Sequence, residues 1–431
     1  MYIYVVQTGD TIYQIADRFG VPVDKIISDN ALTNPYQLVP GEVIIILYPS
    51  ETYIVQEGDT LETIAVSNSI TIGELLRNNP TISDSDYHVY PGEVLSIRFN
   101  RSGRIATHGY TNTFINKNIL SKTLPYLSYL SIFDYRTVEN GELNGTTDDL
   151  EIIQAAKAFG VLPLLLMTTI SVQGEVNLEL TYNILINEEL QNKLFDNVMR
   201  VVKENGYSGV NISAQYITAA NQNLFYNYTK NISDRLHQEG YLAFLTVNPK
   251  IDTFNSQVTF ESIDYSILEG LVDAIIFLQY KWGINNTPPA PVISISNIKI
   301  FLDYVLMQVK PEKIINGIAT LGYIWELPYV PGFSRINSLT IDSSINLARQ
   351  VGATIEFDEE SQTPYFNYSN ANDNTQYIVW FVDARTIDSL AKLLQNNGII
   401  GTGIWNIMSY FTQLWLVLNS QYEIIKLLPE F

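Results

Sequence analysis

From Arg104 to its end the chain alternates short apolar runs with longer stretches in which apolar residues recur at helical spacing. Eight runs have the length and continuous apolar character of strands buried on both faces: RIATHGY (104–110), LSYLSIFDY (127–135), VLPLLLMTT (161–169), SGVNISAQY (208–216), LAFLTVNP (242–249), VDAIIFLQY (272–280), KIINGIATLGY (313–323) and GTGIWNIM (401–408). The segments between them are amphipathic; in 187–206, Leu190, Leu194, Val198 and Val201/Val202 mark one helix face. Eight strand–helix units predict an α/β fold, a (β/α)8 TIM barrel, whose functional groups stand at the C-terminal ends of the strands. The region 327–385 is too long for a loop between the last two strands and reads as an α+β insertion walling one side of the barrel mouth.

The first hundred residues repeat. YVVQTGDTIYQIADRFGVPVDKIISDN from Tyr4 recurs as YIVQEGDTLETIAVSNSITIGELLRNN from Tyr53, and each copy closes on PGEV, at Pro40–Val43 and Pro91–Val94. Each unit reads strand, helix, helix, strand: an alternating strand, a GDT turn whose Asp10 or Thr11 caps a helix with Gln14 placed to complete a capping box, a second helix, and a PGEV turn into a closing strand. Two small βααβ modules, 1–48 and 51–99, thus precede a barrel at 104–431, with RFNRSG (98–103) as a polar link.

Composition narrows the function. With 25 basic against 45 acidic residues the net charge is −20, which repels nucleic acid. There is no cysteine, hence no disulfide, thiolate nucleophile or cysteine metal site, and no metal or cofactor is expected. His88, His108 and His237 are scattered and are expected to be structural or surface residues. No basic-then-apolar leader opens the chain and no run of membrane-spanning length follows, so a soluble protein without a classical export signal is expected.

Both repeats resemble LysM modules, a family that binds N-acetylglucosamine-containing glycans such as peptidoglycan and chitin. There the sugar lies between the first strand–helix loop and the loop before the last strand. The resemblance assigns the first loop to Gly9, Asp10, Thr11 and Ile12 in one copy and to Gly58, Asp59, Thr60 and Leu61 in the other. The plainer alternative is that GDT is a turn and a helix cap.

The strand ends carry a second resemblance. The segments GYSGVNI…QYI, QYKWG (279–283), GYIWELP (322–328), FDEESQTPYFNY (357–368), VWFVDART (379–386) and GIWNIMSYF (403–411) are similar to glycoside hydrolase family 18. The nearest subgroup is that of the LysM-bearing spore cortex-lytic N-acetylglucosaminidases. The family's hydrolysis is assisted by the substrate's own acetamido group, and a DxxDxDxE motif on the fourth strand supplies the proton-donating Glu and the Asp that orients the acetamide. In this chain the four motif positions are Ser208, Asn211, Ser213 and Gln215, and every carboxylate is gone. Strand parity places Asn211, Ser213 and Gln215 on one face, with Val210, Ile212 and Ala214 on the other. An amide cannot deliver a proton. Lys281 and Ile324 likewise stand where the family has acids. The aromatic residues remain: Tyr280, Trp282, Tyr323, Trp325 and Trp405, the last matching the indole that floors the family's sugar subsite, with barrel-core packing as the alternative for each.

The resemblances therefore imply a binder of peptidoglycan or other N-acetylglucosamine glycans with an inactive glycosidase barrel, located at the bacterial spore coat, cortex or cell wall, with spore-coat proteins as further partners. Two alternatives stay open. One is an active N-acetylglucosaminidase with a relocated acid, for which Glu326, Glu175 and Asp134 are candidates; the other is a structural coat protein without sugar affinity.

Overall fold

The structure, a computed structural model, describes residues 1–146, 148–169, 177–214, 217–249, 251–254, 257–278, 287–370 and 374–430. Eight parallel strands, Gly103–Asn112, Tyr129–Phe133, Leu162–Met167, Gly209–Ser213, Leu242–Val247, Ala274–Phe277, Ile314–Ala319 and Gly401–Trp405, form a barrel in chain order. The eighth pairs back on the first, with Gly401 opposite Ala106 and Ile404 opposite Gly109. Every run read as a strand from the sequence becomes one. Alternation sorts the side chains into two apolar layers. Val210, Ile212 and Ala214 belong to the layer between strands and helices, whereas Tyr110, Leu164, Leu166, Phe244, Ile276 and Ile315 fill the barrel interior.

The seventh strand ends earlier than its apolar run suggests. It stops at Ala319, and Leu321–Leu327 already belongs to the inserted sheet, whose five antiparallel strands run in the order Ile336–Thr340, Leu321–Leu327, Gln376–Trp380, Thr363–Ser369, Glu356–Asp358. The run continues unbroken through Thr320, but its hydrogen-bond partners switch from barrel strands to Ile336–Thr340 and Gln376–Trp380. An inserted helix, Ile341–Val351, is capped by Thr340 and closed by left-handed Gly352.

Each N-terminal module has a two-stranded antiparallel sheet, Tyr2–Val5 with Val43–Ile46 and Glu51–Ile54 with Val94–Arg98, covered by two helices. The shared Asn30 and Asn79 do the same work in both. Each buried amide donates to its own helix and exchanges hydrogen bonds with the closing strand, at Ile45 and Ser96 respectively.

The modules are docked, not tethered. In module 1 Ile44 and Ile46 face their own helices, while Val43, Ile45 and Leu47 join the barrel's outer core. The matching positions of module 2 are Val94, Ser96 and Arg98, so its sheet lacks that second apolar face. Module 2 docks instead through polar groups on its second helix: Arg77 pairs with Glu430 at 2.9 Å, both side chains nearly buried, and the Tyr126 hydroxyl donates to the Arg77 carbonyl. The polar link is itself pinned, because Arg101 donates to Glu74 and Asn78 of module 2 and to Asn419 of the last helix.

Candidate functional site

The fourth strand brings Asn211 to the centre of a buried polar network. Its Nδ2 donates to the Ser131 hydroxyl at 2.9 Å and to the Tyr110 hydroxyl at 3.3 Å, and its Oδ1 accepts from Thr246 Oγ1 at 2.7 Å. Tyr110 and Thr246 are in turn 2.6 Å apart, and His108 Nε2 lies 2.8 Å from Ser131 Oγ. Inward parity on the first, second, fourth and fifth strands puts these five side chains together. Burial drives the His108 imidazole down to about 3, so it is neutral at ordinary pH, and the Tyr110 phenol is pushed well above its usual value by burial despite its hydrogen bonds to Thr246 and Asn211. The network holds no ionised group. Sequence reading missed Tyr110, Ser131 and Thr246 and treated His108 as merely structural; the available signal was that all four share the inward parity of their strands.

The other motif positions sit at different heights. Ser208 precedes the strand, at the N-terminal end of the barrel, where its amide donates to the Pro163 carbonyl. Ser213 ends the strand at the mouth, half-buried and opposite Thr246. Gln215 lies outside the described residues, as do Tyr280, Lys281, Trp282 and Glu175.

Among the aromatics, Trp405 ends the eighth strand half-buried, with its ring centroid 4.8 Å from that of Tyr110. Its indole therefore rests directly on the Asn211 network. Tyr323 and Trp325 lie on the inserted sheet, not at a barrel strand end. Trp325 is 2% exposed, and its Nε1 donates to the Thr287 carbonyl at 3.1 Å. That indole is occupied by packing, which corrects its reading as a sugar platform; Tyr323 is half-buried beside it, at 6.0 Å between centroids. Glu326 follows on the opposite face of the same strand, its amide bonded to the Arg335 carbonyl. Asp134 accepts from the Thr146 amide and hydroxyl, which ties it to a loop turn.

In the modules the GDT residues divide by role. Asp10 accepts from the Gln7 amide and the Tyr4 hydroxyl; burial raises its carboxyl, but these hydrogen bonds and nearby Arg18 outweigh it and hold the group below its ordinary value. Asp59 likewise accepts hydrogen bonds from the Gln56 amide and the Tyr53 hydroxyl. Thr11, with Gln14, and Thr60, with Thr63, form the capping boxes. Ile12 is 1% exposed and belongs to the module core, so its side chain offers no sugar surface, and Leu61 is half-buried. Gly9 and Gly58, at φ +88° and +87°, leave their backbone open, with no atom within 4 Å of where a Cβ would stand. The residues not singled out from the sequence are Tyr13 and Tyr36. Tyr13, in the first turn of the helix Ile12–Phe19, and Tyr36, in the loop before the closing strand, stack at 6.0 Å with an interplanar angle of 22°, 59% and 70% exposed. Glu62 replaces Tyr13 in the second copy, which was the available signal.

The LysM domain profile matches residues 4–47 and 53–98, and that of the glycosyl hydrolases family 18 matches 125–409. The chain belongs to glycosyl hydrolase family 18. Among its relatives is the cortical fragment-lytic enzyme of Bacillus anthracis, 28% identical over 428 residues, 98% of this chain and 99% of the relative. The crystal structure of the spore cortex-lytic enzyme SleL from Bacillus cereus superposes with a TM-score of 0.79 at 28% identity, over 99% of both chains. SleL from Bacillus megaterium QM B1551 gives 0.79 at 26% identity, over 98% of both. The likeness spans both LysM modules and the barrel.

For a family 18 barrel the consequence lies in the protonation states. Asn211 and Ser213 can position a polar group but have no acidic proton to give at useful pH. A neutral His108 cannot act as the missing acid, and it contacts Ser131 inside the barrel rather than at its mouth. The site is equipped for hydrogen bonding and aromatic stacking.

Proposed function

We propose that this chain binds N-acetylglucosamine-containing glycan of the bacterial spore cortex or cell wall through its LysM modules and its barrel mouth, and does not hydrolyse it. The observation that carries the reading is the buried, uncharged network around Asn211, one of the four motif positions that have lost their carboxylate. General acid catalysis contributes about 10²–10⁴-fold to such reactions, and here the orienting acid is replaced as well. Trp405 on Tyr110 keeps an aromatic floor for a pyranose, so affinity can persist where turnover does not. The relatives' names, a cortical fragment-lytic enzyme and a spore cortex-lytic enzyme, support the choice of polymer.

The test is incubation of the purified chain with muropeptides and with chitooligosaccharides, read by mass spectrometry and by calorimetry. Binding without cleavage is expected. Turnover that disappears in Glu326→Gln would overturn the reading and favour a relocated acid. Cleavage gained by the Ser213→Asp/Gln215→Glu variant would support it, because activity then needs only the lost acids in a pocket that already holds sugar.

A further inference from the structure

The seam between module 1 and the inserted helix encloses a cleft of about 350 Å³. One wall is the loop that includes Gln37, Leu38 and Pro40; the other is the end of the inserted helix and its cap, with Arg349, Ala353 and Thr354. The walls are held at fixed separation. The Ile355 amide donates to the Pro40 carbonyl at 2.9 Å, and Arg349 Nε donates to the Gln37 carbonyl at 2.7 Å. Resting on the reading of this chain as a glycan binder, we infer that this cleft is a composite subsite, taking one further N-acetylhexosamine unit of a strand that lies across the exposed Tyr13–Tyr36 pair.

Three observations carry it. First, the lining has the two characters a pyranose presents: Leu38, Pro40 and Ala353 match the C–H face, and Gln37, Arg349 and Thr354 match the hydroxyl and acetamido edge. Second, Tyr36 adjoins Gln37 in the same loop, so the exposed tyrosine pair and the cleft wall share one stretch of chain. Third, the lining holds no carboxylate and one charged side chain, Arg349, whose Nε and Nη2 are already engaged by Gln37 and Glu42, which leaves the cleft to hydrogen bonding rather than ionic recognition. In module 2 the corresponding turn, Pro91–Val94, is exposed to solvent, and nothing lies within 4 Å of a Cβ on Gly92. The two copies are therefore unequal: one has a groove alone, the other a groove extended by the barrel's insertion.

Calorimetry of the full chain with N-acetylglucosamine oligomers from dimer to hexamer tests this, comparing the native chain with Thr354→Trp, an exposed position where the indole plugs the cleft without touching the core. The expected result is that lengthening the oligomer raises native affinity by about tenfold or more, and that Thr354→Trp loses this gain while binding the dimer as before. Tyr36→Ala should weaken every length. Long oligomers bound equally by Thr354→Trp and the native chain would overturn the composite subsite while leaving glycan binding standing. No binding of any oligomer by the native chain would overturn both.

Discussion

A methyl group on Gly41 would stand 1.8 Å from the carbonyl oxygen of Ile355. The PGEV turn of module 1 is thus pressed against the inserted subdomain as closely as a backbone can approach, while the same turn in module 2, at Gly92, meets nothing.

The pair makes a controlled experiment. Both glycines have positive φ, +88° and +92°, so Ala costs each a similar conformational strain, about 1–2 kcal/mol. Only Gly41→Ala adds a collision with backbone. It should release module 1 from the barrel, seen as new proteolytic cleavage between the modules and a lower melting temperature. Gly92→Ala should melt slightly early and stay uncut. Equal behaviour of the two variants would mean that docking does not depend on this contact.

Arg77 and Glu430 form a pair whose side chains are 5% and 7% exposed, with the Thr71 hydroxyl also donating to Glu430. Removing one partner leaves a buried charge. Glu430→Ala should destabilise the module 2 docking by about 3–5 kcal/mol, while replacing both members with Met should recover most of that loss. Denaturant titration of the single and double variants measures it, and additive losses would argue against a coupled pair.

Docking of module 1 should weaken with rising pH. Burial lifts the Glu42 carboxyl from 4.5 to about 7, against the opposing pull of a hydrogen bond with the Val39 backbone and the charge of Arg349. The folded value lies above the unfolded one, so this contribution is complete below the unfolded value and is lost as the pH rises through about 7. Asp342, across the same crevice, is also raised by burial and acts in the same direction. Glu42→Gln should flatten the melting temperature between mildly acid and mildly alkaline pH; an unchanged slope would assign it elsewhere.

His108 predicts the opposite dependence on the acid side. Its folded value, about 3, is below its ordinary 6.5 because burial disfavours the charged ring. Stability from this group is present above 6.5 and is lost as the pH falls toward 3. Nitrogen chemical shifts of the imidazole should report a neutral His108 ring at mildly acid pH. A protonated His108 under those conditions would show that water reaches the network and would undermine the uncharged-site reading.

How much of this was legible in the chain varies from residue to residue. Asn30 and Asn79 were legible as a repeat position, and their identical hydrogen bonds explain why the asparagine recurs. Asp10 and Thr11 were legible as turn and cap because both contacts are local, within three residues apart from the Tyr4 hydroxyl. Trp325 was not, since a strand-borne aromatic reads alike whether it faces a ligand or a core. Leu321 was not either, because the apolar run crosses from barrel to insertion with only Thr320 between the two strands, and its glycines, Gly317 and Gly322, lie inside strands rather than at the change of partner.

The sequence by itself determined the eight barrel strands, the doubled module and the loss of the acids, because alternation, periodicity and residue identity are local properties that no packing can alter. Only the tertiary structure decided which inward side chains meet. The closure that sets Gly401 against Ala106 places the first strand, with His108 and Tyr110, beside the second and across from the fourth and fifth. It also decided that module 1 is part of the barrel's core. Val43, Ile45 and Leu47 announce a second apolar face, but an apolar face does not name the surface that covers it.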